Sequence, residues 1–409
     1  MGPTRLRDRA APALGHLDAK LAALTVFLSP MNYFRLEQVY LTLSDAAACA
    51  TLFVMLYRGS MSRAPFGIVT PLWLAGFLAL AAGLTIGSVA SGAMGSLVVI
   101  LAQYFFSFVL LVFVLAGRPY REIVALLKTL ILSIVVVMVF GAYVVHFVPN
   151  PDWRFVSGNG RMRSLVEREN AAAALGAIGI VLLLNLALLG EVRRMATILC
   201  LPIFLYGVTL TGSNTGLFMT TLGIILTVAF SGSARFIVQT ALAAGAVVIV
   251  VVFLGDAILP DVFRERVMTA LTSGDVNQAG TFEDRFYLIG EAIEIAQNTL
   301  VVGLGADQYR TISDHGAPVH NSYLLLLTEG GLLALSGLVM LLLSGITLAW
   351  VAIFMAGART QGLIALTITL IYAASLNTFA HFYARFWSVP LILALGLAAA
   401  RIDQKNRRP

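Results

Sequence analysis

The sequence predicts an all-α polytopic membrane bundle of about 12 transmembrane helices, built as a single domain over residues 1–409, and three observations predict it. Hydrophobic residues make up 59% of the chain and charged residues only 12%, where a soluble domain carries about 25% charged residues. Mean hydropathy is +0.89. Mainly apolar runs, many close to the roughly 20 residues needed to cross about 30 Å of hydrocarbon, recur from the first fifty residues to the end. The basic residues sit in short gaps between these runs, a pattern of membrane topology and not of nucleic-acid binding, which the composition gives no reason to expect.

In chain order the spans are expected at 21–34, 39–57, 66–86, 93–116, 123–148, 170–190, 195–211, 215–230, 236–255, 332–356, 361–379 and 386–400. The first is short and holds Pro30, so it is kinked or re-entrant. The stretch before it is basic and polar to about Lys20, with no small-residue cleavage site, so no cleavable leader is expected. Cys49 and Cys200 fall inside apolar spans and read as small buried hydrophobes, not as a disulfide. Alternate gaps gather Arg5 to Lys20, Arg58 and Arg63, Arg118 to Lys128, Arg193 and Arg194, Arg235, Arg359, and Arg401 to Arg408. The positive-inside rule then places both termini in the cytoplasm.

Two outer gaps are long, 149–169 and 256–319, and are expected to form a periplasmic loop cap. The second contains an amphipathic helix over about Phe282–Thr299. Asp284, Glu291, Glu294 and Asn298 share its polar face, and Phe282, Ile289, Ile293 and Ala296 its apolar one. Such a helix lies on the membrane surface or against the bundle.

No Walker sequence or Gly-rich strand–helix turn is present, and no His/Cys/carboxylate cluster has metal-ligand spacing, so no cofactor and no metal is expected. An outer-face enzyme has no nucleotide to draw on, so its energy arrives with the substrate. A polyprenyl pyrophosphate sugar carries its own leaving group and sits among the membrane lipids. It needs guanidinium groups at the membrane surface. The outer loops supply Arg154, Arg161, Arg163 and Arg168, then Arg264, Arg266, Arg285 and Arg310. Arg285 falls within the apolar stripe of its helix, where it must snorkel or meet an anion. His320 stands where polar loop becomes apolar helix, with a side chain suited to base work near neutrality. On a straight helix Gly331 nearly eclipses it and leaves room for a substrate chain. Asp45 is an intramembrane acid, a functional candidate that equally suits a helix cap. Glu283 and Asp284 are alternative bases, Tyr104 and Gln103 candidate groove residues, and His381 and Arg385 interface anchors.

His320-Asn321-Ser322-Tyr323, followed by Glu329-Gly330-Gly331 and preceded by Gly303-Leu304-Gly305 and Arg285, resembles the O-antigen ligase and O-antigen polymerase superfamily, which includes exopolysaccharide polymerases. Leu43-Ser44-Asp45, Asn170 and Thr211-Gly212-Ser213 add to the likeness. The resemblance implies metal-independent, inverting transfer of a glycan from an undecaprenyl pyrophosphate donor, on the periplasmic face of the bacterial inner membrane. The acceptor is another glycan or lipid A-core. His320 is the implied catalytic residue and Arg285 a pyrophosphate ligand, with Arg161 or Arg163 serving in the first loop. Asn321, Asn214 and Asp45 complete the expected substrate-binding set. Ligases commonly carry an arginine after the serine of the seventh-span turn. This chain has Asn214-Thr215 there, which favours a polymerase working with a flippase and a chain-length regulator. A transporter or flippase, the rival class, needs polar residues near the bilayer midplane, and the spans here are nearly free of charge there.

Overall fold

The computed structural model describes residues 16–36, 40–268 and 282–406, with the side chains of 256, 257 and 282–284 excepted. Its helices are α1 (Leu17–Leu28), α2 (Leu43–Arg58), α3 (Thr70–Ser91), α4 (Met94–Leu115), α5 (Tyr120–Phe147), α6 (Glu169–Leu188), α7 (Arg194–Leu210), α8 (Asn214–Ser231) and α9 (Ala234–Ile258). After the second long connection come α10 (Phe282–Thr299), the short α11 (Tyr309–Ile312), α12 (Ser322–Phe354), α13 (Arg359–Ser375) and α14 (Arg385–Asn406). A two-stranded hairpin, Arg35–Leu36 against Leu41–Thr42, is the one sheet among the described residues. The described residues form an all-α bundle with helices apolar enough for a membrane, and each expected span overlaps a helix at least in part.

Eight of the described helices are long and apolar enough to cross a membrane. The expected span at 21–34 is the 12-residue α1, which ends before Pro30. At 1.5 Å per residue it falls well short of a bilayer core of about 30 Å. α7 and α13 have 17 residues and α2 has 16. Cys49 and Cys200 are free thiols, and Cys49 is exposed on the surface of its helix and not buried.

The tenth span begins ten residues earlier than expected, at Ser322, because α12 is broken at Gly331 (φ 67°, ψ −169°). The break leaves the carbonyls of Thr328 and Glu329 and the amide of Leu332 without helical partners. The segment before α11 supplies them. Leu304 N donates to Thr328 O (2.9 Å), Gly305 N to Glu329 O (2.8 Å), and Leu332 N to Leu300 O (2.8 Å). Backbone groups at membrane depth must be satisfied internally, and this strap does it. A Cβ on Gly303 would stand 2.2 Å from Glu329 O, so only glycine lets the strap lie this close. The strap occupies the space that a straight helix would have left beside Gly331, so that glycine does not open a path for a substrate chain.

α12 then packs on α3 through small residues. A Cβ on Gly83 would meet Gly330 O at 2.5 Å, and one on Gly337 would meet Leu80 N at 2.3 Å. Lipid offers no hydrophobic force between helices, so this close backbone approach holds the pair by dispersion. α6 and α14 form the centre, with Leu175, Ile180, Leu182, Ile392 and Leu395 fully buried.

The described parts of both long connections touch one another beside the Gly212 turn. Val262, in the short helical turn Asp261–Phe263, stands 3.4 Å from a Cβ built on Gly160 and 2.6 Å from one on Gly212. The first connection is anchored by Met162 N to Leu210 O (3.0 Å) and Ser164 Oγ to Val137 O (2.6 Å). The hairpin joins it through Arg35 and Glu167 (2.7 Å). α10 spans the expected range, but its buried residues are Leu288, Ala292 and Ala296, of which Leu288 and Ala292 pack with Tyr309, Val319 and Leu325. Ile293, expected on that face, is 49% exposed. Glu291, expected on the polar surface, fixes α10 to the α11 segment by accepting from Tyr309 Oη (2.6 Å), Ser313 Oγ (2.8 Å) and Asp314 N (2.9 Å).

Candidate active site

Arg161 is aimed by the ends of three helices. Its Nε donates to the Thr211 carbonyl at the end of α7 (2.7 Å), and an Nη donates to Asn170 Oδ1 in the first turn of α6 (3.1 Å). Ser213, the cap of α8, donates its Oγ to the same Asn170 oxygen (2.9 Å). The Asn170 and Thr211-Gly212-Ser213 motifs thus serve one guanidinium, and Arg161 has no ion-pair partner among the described residues. Burial, and the like charges of Arg266, Arg163 and Arg285, hold Arg161 down to about 10, against the help of Glu169. Burial and Arg266 lower Arg285 as well. Four arginines from two loops therefore stand close enough for their charges to act on one another. Such a group has the charge to hold a multiply charged anion.

Arg161 and Arg163, equivalent by spacing, differ in space. Arg163 is committed: Nε donates to Glu169 Oε1 (3.0 Å), Nη1 to the Trp153 carbonyl (3.1 Å), and its guanidinium lies over the Trp153 ring. Arg161, by contrast, meets only neutral oxygens, those of Thr211 and Asn170.

His320 is half-buried just before the N-cap of α12. Its Nδ1 is buried and makes no hydrogen bond. Burial first, then the charges of Arg285 and Arg168, push its pKa below the usual value, with only the Pro318 carbonyl acting the other way. The imidazole is therefore neutral at pH 7 and able to accept a proton. Arg168, outside the expected site set, is exposed and unpaired among the described residues. Its signal in the sequence is its place among the outer-loop arginines, just before α6.

The sign of that shift gives a testable pH profile. Transfer that needs neutral His320 should fail only as pH falls through a value below 6.5. Arg168→Gln removes one cation beside the ring, so the acid limb of kcat/KM should move to higher pH. A limb that stays in place in Arg168→Gln, or lies above 6.5 in the parent, argues against His320 as the titrating base.

Two expected ligand residues have structural work instead. Asn321 caps α12, its Oδ1 accepting from Tyr323 N (3.0 Å) and Leu324 N (3.1 Å) while its Nδ2 faces Asn377 (3.4 Å). Asp45 is fully buried and has no oxygen to offer a substrate. It forms a capping box with Thr42 and a bidentate pair with Arg385, Oδ1 to Nε at 2.6 Å and Oδ2 to Nη2 at 2.9 Å. Gln103, a candidate groove residue, accepts from Arg385 Nη1 (2.6 Å), and Tyr104 is 2% exposed. Arg385 is thus a buried tie and not an interface anchor. Asn214 opens α8 half-buried. Glu283 and Asp284, the alternative bases, have side chains outside the described set. No group of three or more His, Cys, Asp or Glu side chains suited to a metal occurs among the described residues.

No curated protein matches the chain. Residues 196–339 match the family profile described as O-Antigen ligase. That stretch starts in α7, carries the Thr211-Gly212-Ser213 turn, Arg266, Arg285 and His320, and ends in α12 beyond its break. That match, over the stretch that holds the second loop and the His320 motif, supports the likeness to the O-antigen ligase and O-antigen polymerase superfamily.

Proposed function

We propose that this protein is a membrane glycosyltransferase that takes a glycan from undecaprenyl pyrophosphate and joins lipid-linked repeat units of O-antigen or exopolysaccharide. The observation that supports it is the convergence of Arg161, Arg266 and Arg285, from two loops, beside a neutral half-buried His320. His320 accepts the proton of the acceptor hydroxyl as its oxygen bonds to the anomeric carbon. The bond from that carbon to the pyrophosphate oxygen breaks on the opposite face, and its electron pair leaves on the phosphate. The configuration inverts. Guanidinium groups stabilise the departing charge, the work a metal ion does elsewhere, without one being required. In this reading the loops form a periplasmic cap, twelve helices span the inner membrane, and both termini are cytoplasmic. A flippase delivers the donor and a chain-length regulator acts beside the enzyme.

A ligase is the second reading, and one observation favours it. The Arg266 side chain reaches the Gly212 turn, with Cδ 3.6 Å from a Cβ built there. An arginine thus stands beside the turn that lacks one in sequence, so Asn214-Thr215 no longer weighs against transfer to lipid A-core. Sizing the carrier-linked glycans of a deletion strain separates the readings. Single repeat units on the carrier mark a polymerase, and long polymer on the carrier marks a ligase. No accumulation of either would remove the transferase reading. Purified protein should also work in chelator, and activity lost there but restored by a divalent ion would defeat the metal-independent mechanism.

A further inference from the structure

The connection between α13 and α14, residues 376–384, holds titratable and aromatic groups with no part in the mechanism above. It is stitched to the segment that carries His320. Ser322 N donates to Leu376 O (2.8 Å), Ser322 Oγ to Phe379 O (2.6 Å), and Tyr323 Oη to Ala373 O (2.8 Å). Ala380 packs in the small apolar cluster with Val319 and Leu325. His381 stacks on Tyr383 at 5.3 Å, and Tyr383 meets Tyr104 edge-on at 5.2 Å. The backbone there is pinned, since the Tyr383 carbonyl accepts from Ser107 Oγ and from Arg385 Nη1 (3.2 Å). The Asp45–Arg385 pair therefore fixes this loop.

The tips of both rings are unused. His381 and Tyr383 are half-buried, and neither ring nitrogen nor the phenol hydroxyl makes a hydrogen bond among the described residues. His320 is the group shared by the two sides. It feels the charge of Arg285 from the arginine group, while His381 feels Arg168, Arg310 and His320.

We propose that the stacked His381–Tyr383 pair is the acceptor-saccharide subsite, seating a sugar ring on its aromatic face and binding its hydroxyls through the free ring edges. The proposal rests on the transferase reading and deepens it. The chemistry fits a neutral polyol. A sugar offers C–H groups to a ring face and hydroxyls to its edge, and a tyrosine or histidine presents both surfaces. Burial, with Arg168, Arg310 and His320 nearby, holds His381 down to about 4. It is therefore uncharged at neutral pH and has no charge to draw the pyrophosphate away from the arginines. Donor and acceptor sides thus differ in kind, cationic on one and neutral and aromatic on the other.

The test uses purified full-length protein in lipid nanodiscs and two probes. One is undecaprenyl pyrophosphate. The other is the free oligosaccharide repeat unit released from its carrier in the producing strain. The wild-type protein should bind both. Tyr383→Ala and His381→Gln should each weaken the saccharide about tenfold, on the scale of an aromatic contact plus a hydrogen bond, and leave the carrier unchanged. Arg285→Ala should do the reverse. Should Tyr383→Ala disturb binding of both probes, Tyr383→Phe, which keeps the ring, decides with His381→Gln: wild-type saccharide affinity in both overturns the subsite. Wild-type protein that binds carrier but no saccharide also overturns it. The transferase reading fails separately, through absence of carrier binding and of transfer in the wild type.

Discussion

His320→Ala should lower glycan transfer by a factor of about 10² to 10⁴, the range general base catalysis contributes, while leaving carrier binding near wild type. The imidazole is placed by the first turn of α12, whose cap is Asn321, and by Ser322, which holds the neighbouring loop. Neither tie uses the His320 side chain, so the substitution removes a base without removing a fold contact of that kind. His320→Gln, which keeps polarity but accepts no proton in this range, should be as inactive as His320→Ala. Single-turnover transfer with pre-bound donor is the measurement, since it separates the chemical step from binding. Activity within threefold of wild type in either variant would end the base assignment and turn attention to Glu283 or Asp284.

Much of this arrangement is legible in the sequence. The helices follow from hydropathy because a bilayer leaves few alternatives to a helix of adequate length. The helix that carries Arg285 has the expected bounds, although its buried stripe is shifted from the expected one. The break at Gly331 is less legible. Glu329-Gly330-Gly331 and Gly303-Leu304-Gly305 are visible as motifs, but their mutual hydrogen bonding joins residues far apart in sequence. Periodicity describes one helix at a time and does not show that a strap will replace its internal bonds. The choice between Arg161 and Arg163 is hidden for the same reason. Two residues apart in an irregular loop, they are distinguished by the Glu169 carboxylate that Arg163 meets. Asp45 and Arg385 are 340 residues apart, and nothing in the spacing of either points to the other.

That pair yields the second large effect. Asp45→Ala should cost about 3–5 kcal/mol of stability, because it strands the Arg385 guanidinium in the interior, 4% exposed in its side chain. It also removes one half of the α2 capping box, where Asp45 Oδ2 accepts from Thr42 N (2.9 Å) and Thr42 Oγ1 accepts from Asp45 N (3.2 Å). Loss of a cap alone is worth about 1 kcal/mol, so the stranded charge dominates. The double variant Asp45→Ala/Arg385→Met should recover much of the loss, since it leaves no unpaired charge and keeps an apolar side chain of similar length. Asp45→Asn should fall between, keeping the cap's acceptor but not the ion pair. Thermal unfolding of the purified protein in one detergent, at matched concentration, ranks the four proteins. A substrate-binding aspartate predicts a different order: wild-type melting in Asp45→Ala with loss of saccharide or carrier binding. That order would return Asp45 to the binding set, and the bidentate geometry with Arg385 argues for the first.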